Sequence, residues 1–242
     1  MCTVTFVPAN NTIFITHSRD ESSKRTKAIP PKEYTINGFK VLFPRDSAAG
    51  GSWTGINKNG NAAVLLNGAF TRHQHQPPYR KSRGLVFLDI IASADLFVSW
   101  HSIELTGIEP FTIILWNNGT LYECRWDGTH KHVRKLPADQ AHTWSSATLY
   151  DEAIAAKRNA WFTRWLPAHP SPSTEDIIGY HLSAGDGDAH NDVRMNRNGQ
   201  MLTVSISAME ISHHTCTMHY LDLLDNSRAS HAFHFTKAAA IQ

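Results

Sequence analysis

Cys2 stands directly behind the initiator methionine, and Cys is small enough for Met1 to be trimmed. Trimming leaves a thiol and a free α-amine on one residue. An α-amine titrates near ~7.7–8.0, so it can take the proton from its own thiol without a separate histidine. The plainer alternative is that position 2 only requires a small side chain. The run Cys2-Thr3-Val4-Thr5-Phe6-Val7 reads as a buried strand, and Ala9-Asn10-Asn11 as a turn. Thr12-Ile13-Phe14-Ile15-Thr16 reads as a second strand, followed by Ser18-Arg19-Asp20-Glu21. Such a hairpin folds the end of the second strand back beside Cys2. Arg19 would then favour the thiolate and Asp20 would orient the amine. Taken in isolation, Arg19-Asp20-Glu21 reads as a solvated strand end with local ion pairs.

Composition limits what else the chain can be. Its 242 residues suit one large domain spanning 1–242. The formal net charge is +2 with histidines neutral, which gives no bulk electrostatic case for nucleic acid. No apolar run approaches the ~18 residues of a membrane span, and no basic segment followed by an apolar stretch marks a secretory signal. Three widely spaced cysteines, Cys2, Cys124 and Cys216, suit a reducing cytoplasm better than a disulfide framework.

The elements that must position Cys2 alternate strands, helices and strands. Residues 22–38, with Lys24, Arg25, Lys27 and Pro30-Pro31, read as a long surface loop. Segments 53–56 and 62–66 flank Asn57-Lys58-Asn59-Gly60, a hairpin signal. Residues 72–83 form a second basic loop, and 85–100 read as helix broken near Ser93. A hairpin over 111–116 and 121–124 turns at Asn118-Gly119 and continues through 130–136. Asp151 to Leu166 reads as a helix with Ala153, Ile154, Ala156, Ala160, Trp161 and Trp165 on its apolar side. Thr174 is expected to cap a short helix to Leu182, and strands follow at 201–208, 214–222 and 230–235. Strands and helices without regular βαβ alternation argue for an α+β fold with mostly antiparallel sheets.

With these pieces in place the chain resembles an N-terminal-nucleophile hydrolase, and more narrowly the NRDE family, also called the transport and Golgi organization protein 2 family. Met1-Cys2-Thr3 matches its start, and Ser18-Arg19-Asp20-Glu21 stands where the family has Asn-Arg-Asp-Glu. Gly50-Gly51-Ser52-Trp53-Thr54-Gly55-Ile56 is similar to its Gly-Gly-Thr-Trp-x-Gly-Ile. A broader likeness reaches the choloylglycine-hydrolase and acid-ceramidase-like amidases. Their Gly-Ile-Asn-x-x-Gly…Gly-Leu-Asn segment resembles Gly55 to Asn67. The likeness implies a four-layer αββα sandwich with Cys2 ending a central strand, and no cofactor. It also gives Asn67 an oxyanion-hole role; the alternative is that Asn67-Gly68 is only a turn pair.

The family's first Asn is Ser18 here, and the amidases' second site Asn corresponds to Ser146. Arg197 is the best-placed match for a late-strand Arg that lines their site. Ser18, Trp53, Ser146 and Arg197 are therefore expected substrate contacts, with Cys2, Arg19, Asp20 and Asn67 catalytic. His17, beside the site, is a weaker candidate. The acidic stretch 185–192 lacks the spacing of a calcium loop, and His213, His214 and His219 lack zinc spacing, so no metal is expected. The leading expectation is hydrolysis of an amide or related acyl (thio)ester on a small-molecule or acyl substrate. The other is a non-catalytic binding or trafficking protein whose cleft holds a lipid or haem-like ligand.

Overall fold

The structure is a computed structural model, and it describes residues 2–236. Met1, whose removal would free the Cys2 amine, lies outside the described residues, as do 237–242. Two seven-stranded antiparallel sheets form the centre of the fold. The first contains β1 (Cys2–Ala9), β2 (Thr12–Ser22), β10 (His142–Ser145), β11 (Asn196–Arg197), β12 (Met201–Ile211), β13 (Thr215–Asp222) and β14 (Arg228–His234). Its order is β10-β1-β2-β12-β13-β14, with β11 paired to β12. The second runs in chain order: β3 (Ile29–Ile36), β4 (Phe39–Arg45), β5 (Thr54–Asn57), β6 (Ala62–Asn67), β7 (Phe111–Asn117), β8 (Thr120–Trp126) and β9 (Lys131–Leu136).

Period-two alternation decides which side chains each layer receives. Val4, Phe6, Ile13, Ile15, Met209 and Ile211 of the first sheet pack on Leu42, Ile56, Val64, Leu66, Ile114 and Trp116 of the second. The outer face of the second sheet packs through Phe43, Ala63, Leu65 and Leu115 on α1 (Arg83–Ile91) and α2 (Leu96–Ser102). The outer face of the first packs through Val7, Phe14, Ile206 and Ala208 on α3 (Glu152–Trp165) and α4 (Thr174–Ser183). The layers are therefore αββα. No helix among the described residues is long and apolar enough to cross a membrane.

Tight turns are chemically explicit. Asn10-Asn11, Asn37-Gly38 and Asn118-Gly119 all take positive φ, as two-residue hairpin turns require. The first sets the β1–β2 register and so places Arg19 opposite Cys2.

Several local expectations are corrected. Residues 22–38 are not one long loop, because 29–36 form β3. That strand lies at the sheet edge, where Pro30 and Pro31 need not donate to a second neighbour, and its pairing with β4 shifts register between Ile29 and Lys32. The second strand does not stop at Thr16 but runs through the Ser-Arg-Asp-Glu segment. Asp95 caps α2 by accepting from the Phe97 and Val98 N–H groups. Ser173, not Thr174, caps α4, in a capping box with Asp176. On α3 the buried residues are Arg158 and Phe162, one turn apart, rather than the alanine-rich side.

Candidate active site

Cys2 opens β1 and Arg19 is its direct cross-strand partner. Both belong to the set on β1 and β2 that faces the second sheet, together with Val4, Phe6, Ile13 and Ile15. The thiol and guanidinium open into a cleft of about 830 Å³, which is also lined by Trp53, Asn67, Thr148 and the start of α1. Among the predicted residues, the fold thus brings Cys2, Arg19, Trp53 and Asn67 to one cavity.

The Arg19 guanidinium is not free. It donates to Asp46 Oδ2 at 2.8 Å, reaches Glu21 at 3.4 Å and lies 4.2 Å above the Trp53 ring. Arg25 shares Asp46 Oδ2 at 2.9 Å, while Asp46 Oδ1 accepts from the Ala48 and Ala49 N–H groups. Burial works to raise the Asp46 carboxyl, but the Ala49 N–H and the two guanidiniums outweigh it and hold it below the usual range. Burial is also the largest influence on Cys2, pushing its thiol up; Asp20 adds to this, and Arg19 opposes it.

The Gly-Gly-Ser-Trp segment builds the wall of this cleft. Gly50 sits at φ +71° in a turn closed by its N–H on the Asp46 carbonyl. Any Cβ on Gly51 would fall 2.5 Å from the Gly84 carbonyl carbon, in the first turn of α1. The two backbones touch there, and the Ser52 N–H bonds the Gly84 carbonyl at 3.2 Å. Trp53 is thereby held under Arg19.

Asn67 ends β6. Its carbonyl accepts from the Ser146 hydroxyl at 2.7 Å, and its side-chain amide has no hydrogen-bond partner among the described residues. Ser146 itself is buried behind this bond and does not line the cleft.

The other predicted residues do not line the cleft. Adjacent strand residues face opposite sides, so Ser18 and Asp20 turn to the helical layer. Ser18 bonds His181 Nδ1 at 2.7 Å, and Thr5 bonds its Nε2 at 2.9 Å. Asp20 accepts from the Tyr150 hydroxyl at 2.8 Å and the Thr203 hydroxyl at 2.7 Å. Arg197 donates to the Leu149 carbonyl at 3.1 Å and the Asn191 side chain at 3.2 Å, away from the Cys2 cleft. His17 is fully buried between the sheets, and burial holds its imidazole well below the usual range.

Sequence reasoning missed Asp46, Tyr150 and Arg158. Asp46 carried a usable signal, since it stands just before the glycine turn. Tyr150 and Arg158 carried none, because their partners are far away in sequence.

Two antiparallel sheets packed face to face between helices, with the first strand starting at a cleft, are the fold of the N-terminal-nucleophile hydrolases. A mutant of conjugated bile acid hydrolase from Clostridium perfringens superposes with a TM-score of 0.61 at 10% identity, covering 98% of this chain and 97% of that one. A second variant of that enzyme gives 0.61 at 11% identity, covering 100% and 99%. The Caenorhabditis elegans ortholog of N-acylethanolamine-hydrolyzing acid amidase gives 0.54 at 14% identity, covering 86% and 92%. At these identities the likeness concerns the fold alone. The chain belongs to the transport and Golgi organisation 2 family, whose model matches residues 1–220. Among curated proteins, none matches it.

Proposed function

We propose that this protein hydrolyses an amide or a related acyl ester or thioester, with Cys2 as nucleophile once Met1 is removed. The observation that carries the reading is the convergence on one cleft of the Cys2 thiol and the Asn67 amide, which is unpaired among the described residues. In the reaction the Cys2 thiol proton passes to the α-amine and sulfur bonds to the carbonyl carbon. The carbonyl oxygen takes up the displaced electron pair, and the Asn67 side-chain N–H donates to it. Collapse breaks the bond to the leaving group, which departs with the proton from the α-ammonium. Water then attacks the thioester, giving its proton to the amine, and the thiol is restored as the acid leaves.

Arg19 acts on this site as a fixed positive charge opposite the nucleophile. Its ties to Asp46, Glu21 and Trp53 restrain its position, so it orients and counters charge without moving. The cleft carries Arg25, Arg72, Lys81 and Arg83 besides Arg19, against Glu21, Asp46 and Glu109. This excess of cations favours a substrate bearing an anionic group. The three free cysteines suit a reducing compartment such as the cytoplasm.

One observation favours the second reading, a binding or trafficking protein for a lipid or haem-like ligand. Ser18, which stands at the family's first Asn, and Ser146, which stands at the amidases' second Asn, face away from the cleft, leaving Asn67, unpaired among the described residues, as its side-chain amide donor. Intact mass followed by Cys2→Ser separates the two readings. Serine still permits Met1 removal, so turnover should collapse while ligand affinity barely moves, as loss of a transition-state interaction does. Retained turnover in Cys2→Ser overturns the nucleophile assignment. Processed wild type that turns over no amide, ester or thioester supports the binding reading.

A further inference from the structure

Behind the first sheet, on the side away from the cleft, Arg158 of α3 is 1% exposed and has no carboxylate within ion-pair distance among the described residues. Its donors are taken by the Asn191 carbonyl at 3.0 Å, the Asp192 carbonyl and the Thr3 hydroxyl. Burying an unpaired guanidinium costs several kcal/mol on the order-of-magnitude scale of buried ions. These three neutral acceptors take one N–H from each of its nitrogens and leave its charge uncompensated. Its plane lies 3.6 Å from the Tyr150 ring centroid, and the Tyr150 hydroxyl donates to Asp20 at 2.8 Å. Cation, ring and carboxylate thus form one stack, with Arg197 at 5.5 Å from the same ring.

Asp20 is fully buried and one residue past the Cys2–Arg19 pair, level with the beginning of β1. Tyr150, Thr203 and Arg158 are the groups that face it from the segment after β10, from β12 and from α3. Asp20 follows Arg19, the cross-strand partner of Cys2, so its backbone stands beside the start of β1. We propose that Tyr150 and Arg158 are positioning residues that hold Asp20 as a fixed, ionised acceptor for the α-amine of Cys2. The proposal rests on the reading of Cys2 as an N-terminal nucleophile.

Burial is the largest influence on Asp20 and leaves its carboxyl above the usual range; the Arg158 charge and the Thr203 and Tyr150 hydroxyls act against that rise. Burial also keeps the Tyr150 phenol well above its usual range, so it stays a donor. Removing Tyr150 or Arg158 would leave burial less opposed and favour the protonated carboxyl, which holds an ammonium poorly.

Two measurements test the proposal. In the processed wild type, the labelled Asp20 carboxyl carbon, assigned by its loss in Asp20→Asn, should give the shift of a carboxylate at pH 7. A protonated Asp20 at that pH overturns the proposal without any variant having to fold. The second follows Cys2 alkylation by iodoacetamide against pH in wild type, Tyr150→Phe, Asp20→Asn and the double variant. Tyr150→Phe removes one hydrogen bond but keeps the ring on Arg158. It should move the acid limb of the labelling profile by about one pH unit, the equivalent of one charge-assisted bond. In the Asp20→Asn background it should move nothing further. An equal shift in both backgrounds, or none in either, overturns the positioning role. Failure of the enzyme reading looks different: Cys2 would label no faster in processed protein than in protein retaining Met1, whatever Tyr150 does.

Discussion

Ser146 holds Asn67 and Cys2 together. Its hydroxyl donates to the Asn67 carbonyl at 2.7 Å, and its N–H donates to the Cys2 carbonyl at 2.9 Å. One residue from the first sheet's edge therefore ties the proposed nucleophile's strand to the proposed oxyanion donor's strand in the other sheet. Ser146→Ala removes the first tie and keeps the second. It should cost about 1 kcal/mol of stability, read from a denaturant midpoint. Cys2 labelling should stay within about twofold of wild type, because the main-chain bond survives. A large drop in Cys2 labelling would show that the hydroxyl also positions the thiol.

Cysteine reactivity should rank by access to the cleft. Burial raises all three thiols. Cys124 and Cys216 are enclosed in separate apolar cores, whereas Cys2 lines the cavity. In the folded protein Cys2 should be alkylated at least tenfold faster than either, and in denaturant the three should converge. Mass mapping of the modified sites checks this, and equal labelling in the native state counts against an activated Cys2.

Stability should fall with acid through two histidines. Burial, then the Arg158 charge, pushes His181 down to about 3, and burial also holds His17 well below its usual range. The unfolded chain binds these protons near the ordinary value of ~6.5, so between that pH and the folded values it carries more protons than the fold. Stability is then fully present above about pH 6.5 and falls as pH drops towards 3, at up to about 1.4 kcal/mol per pH unit for each histidine. Asp46, held low, adds a further loss below about pH 4. His181→Gln should lower stability at pH 7, because the Ser18 and Thr5 bonds are disturbed, yet reduce the slope between pH 6 and 4. Urea melts across that range test it; an unchanged slope contradicts the assignment.

Gly51→Ala should be among the most damaging single changes in the chain. The added Cβ meets the Gly84 backbone at 2.5 Å, where no flexible side chain can yield. Either α1 must move off the cleft wall or the Trp53 segment must. A loss of 2 kcal/mol or more is expected, with slower Cys2 labelling as the wall shifts. Gly179→Ala is the control, since a Cβ there has nothing within 4 Å and lies within α4, where alanine is the better helix former.

The sequence by itself determined the β1–β2 hairpin, and with it the pairing of Cys2 and Arg19. Strand periodicity and an Asn-Asn turn are local, and their register follows from counting residues. The Asn59-Gly60 hairpin was legible for the same reason, whereas the Gly50-Gly51-Ser52-Trp53 segment and Asn67 stood out only through the family resemblance. The alternation that places Arg19 in the cleft also sends Ser18 and Asp20 to the opposite face, a consequence contained in the spacing itself.

Tertiary structure decided the rest. Arg19 finds its carboxylate at Asp46, Asp20 its phenol at Tyr150, and Ser18 its imidazole at His181, partners 27, 130 and 163 residues away. Helical periodicity on α3 marked the alanine-rich side as the buried one, but Arg158 and Phe162 are what the sheet receives. A guanidinium can occupy that interior because the Asn191 and Asp192 carbonyls and the Thr3 hydroxyl converge there. No local pattern encodes such convergence, since Arg158, Thr3 and the Asn191-Asp192 segment come from three distant parts of the chain and meet only when the layers close.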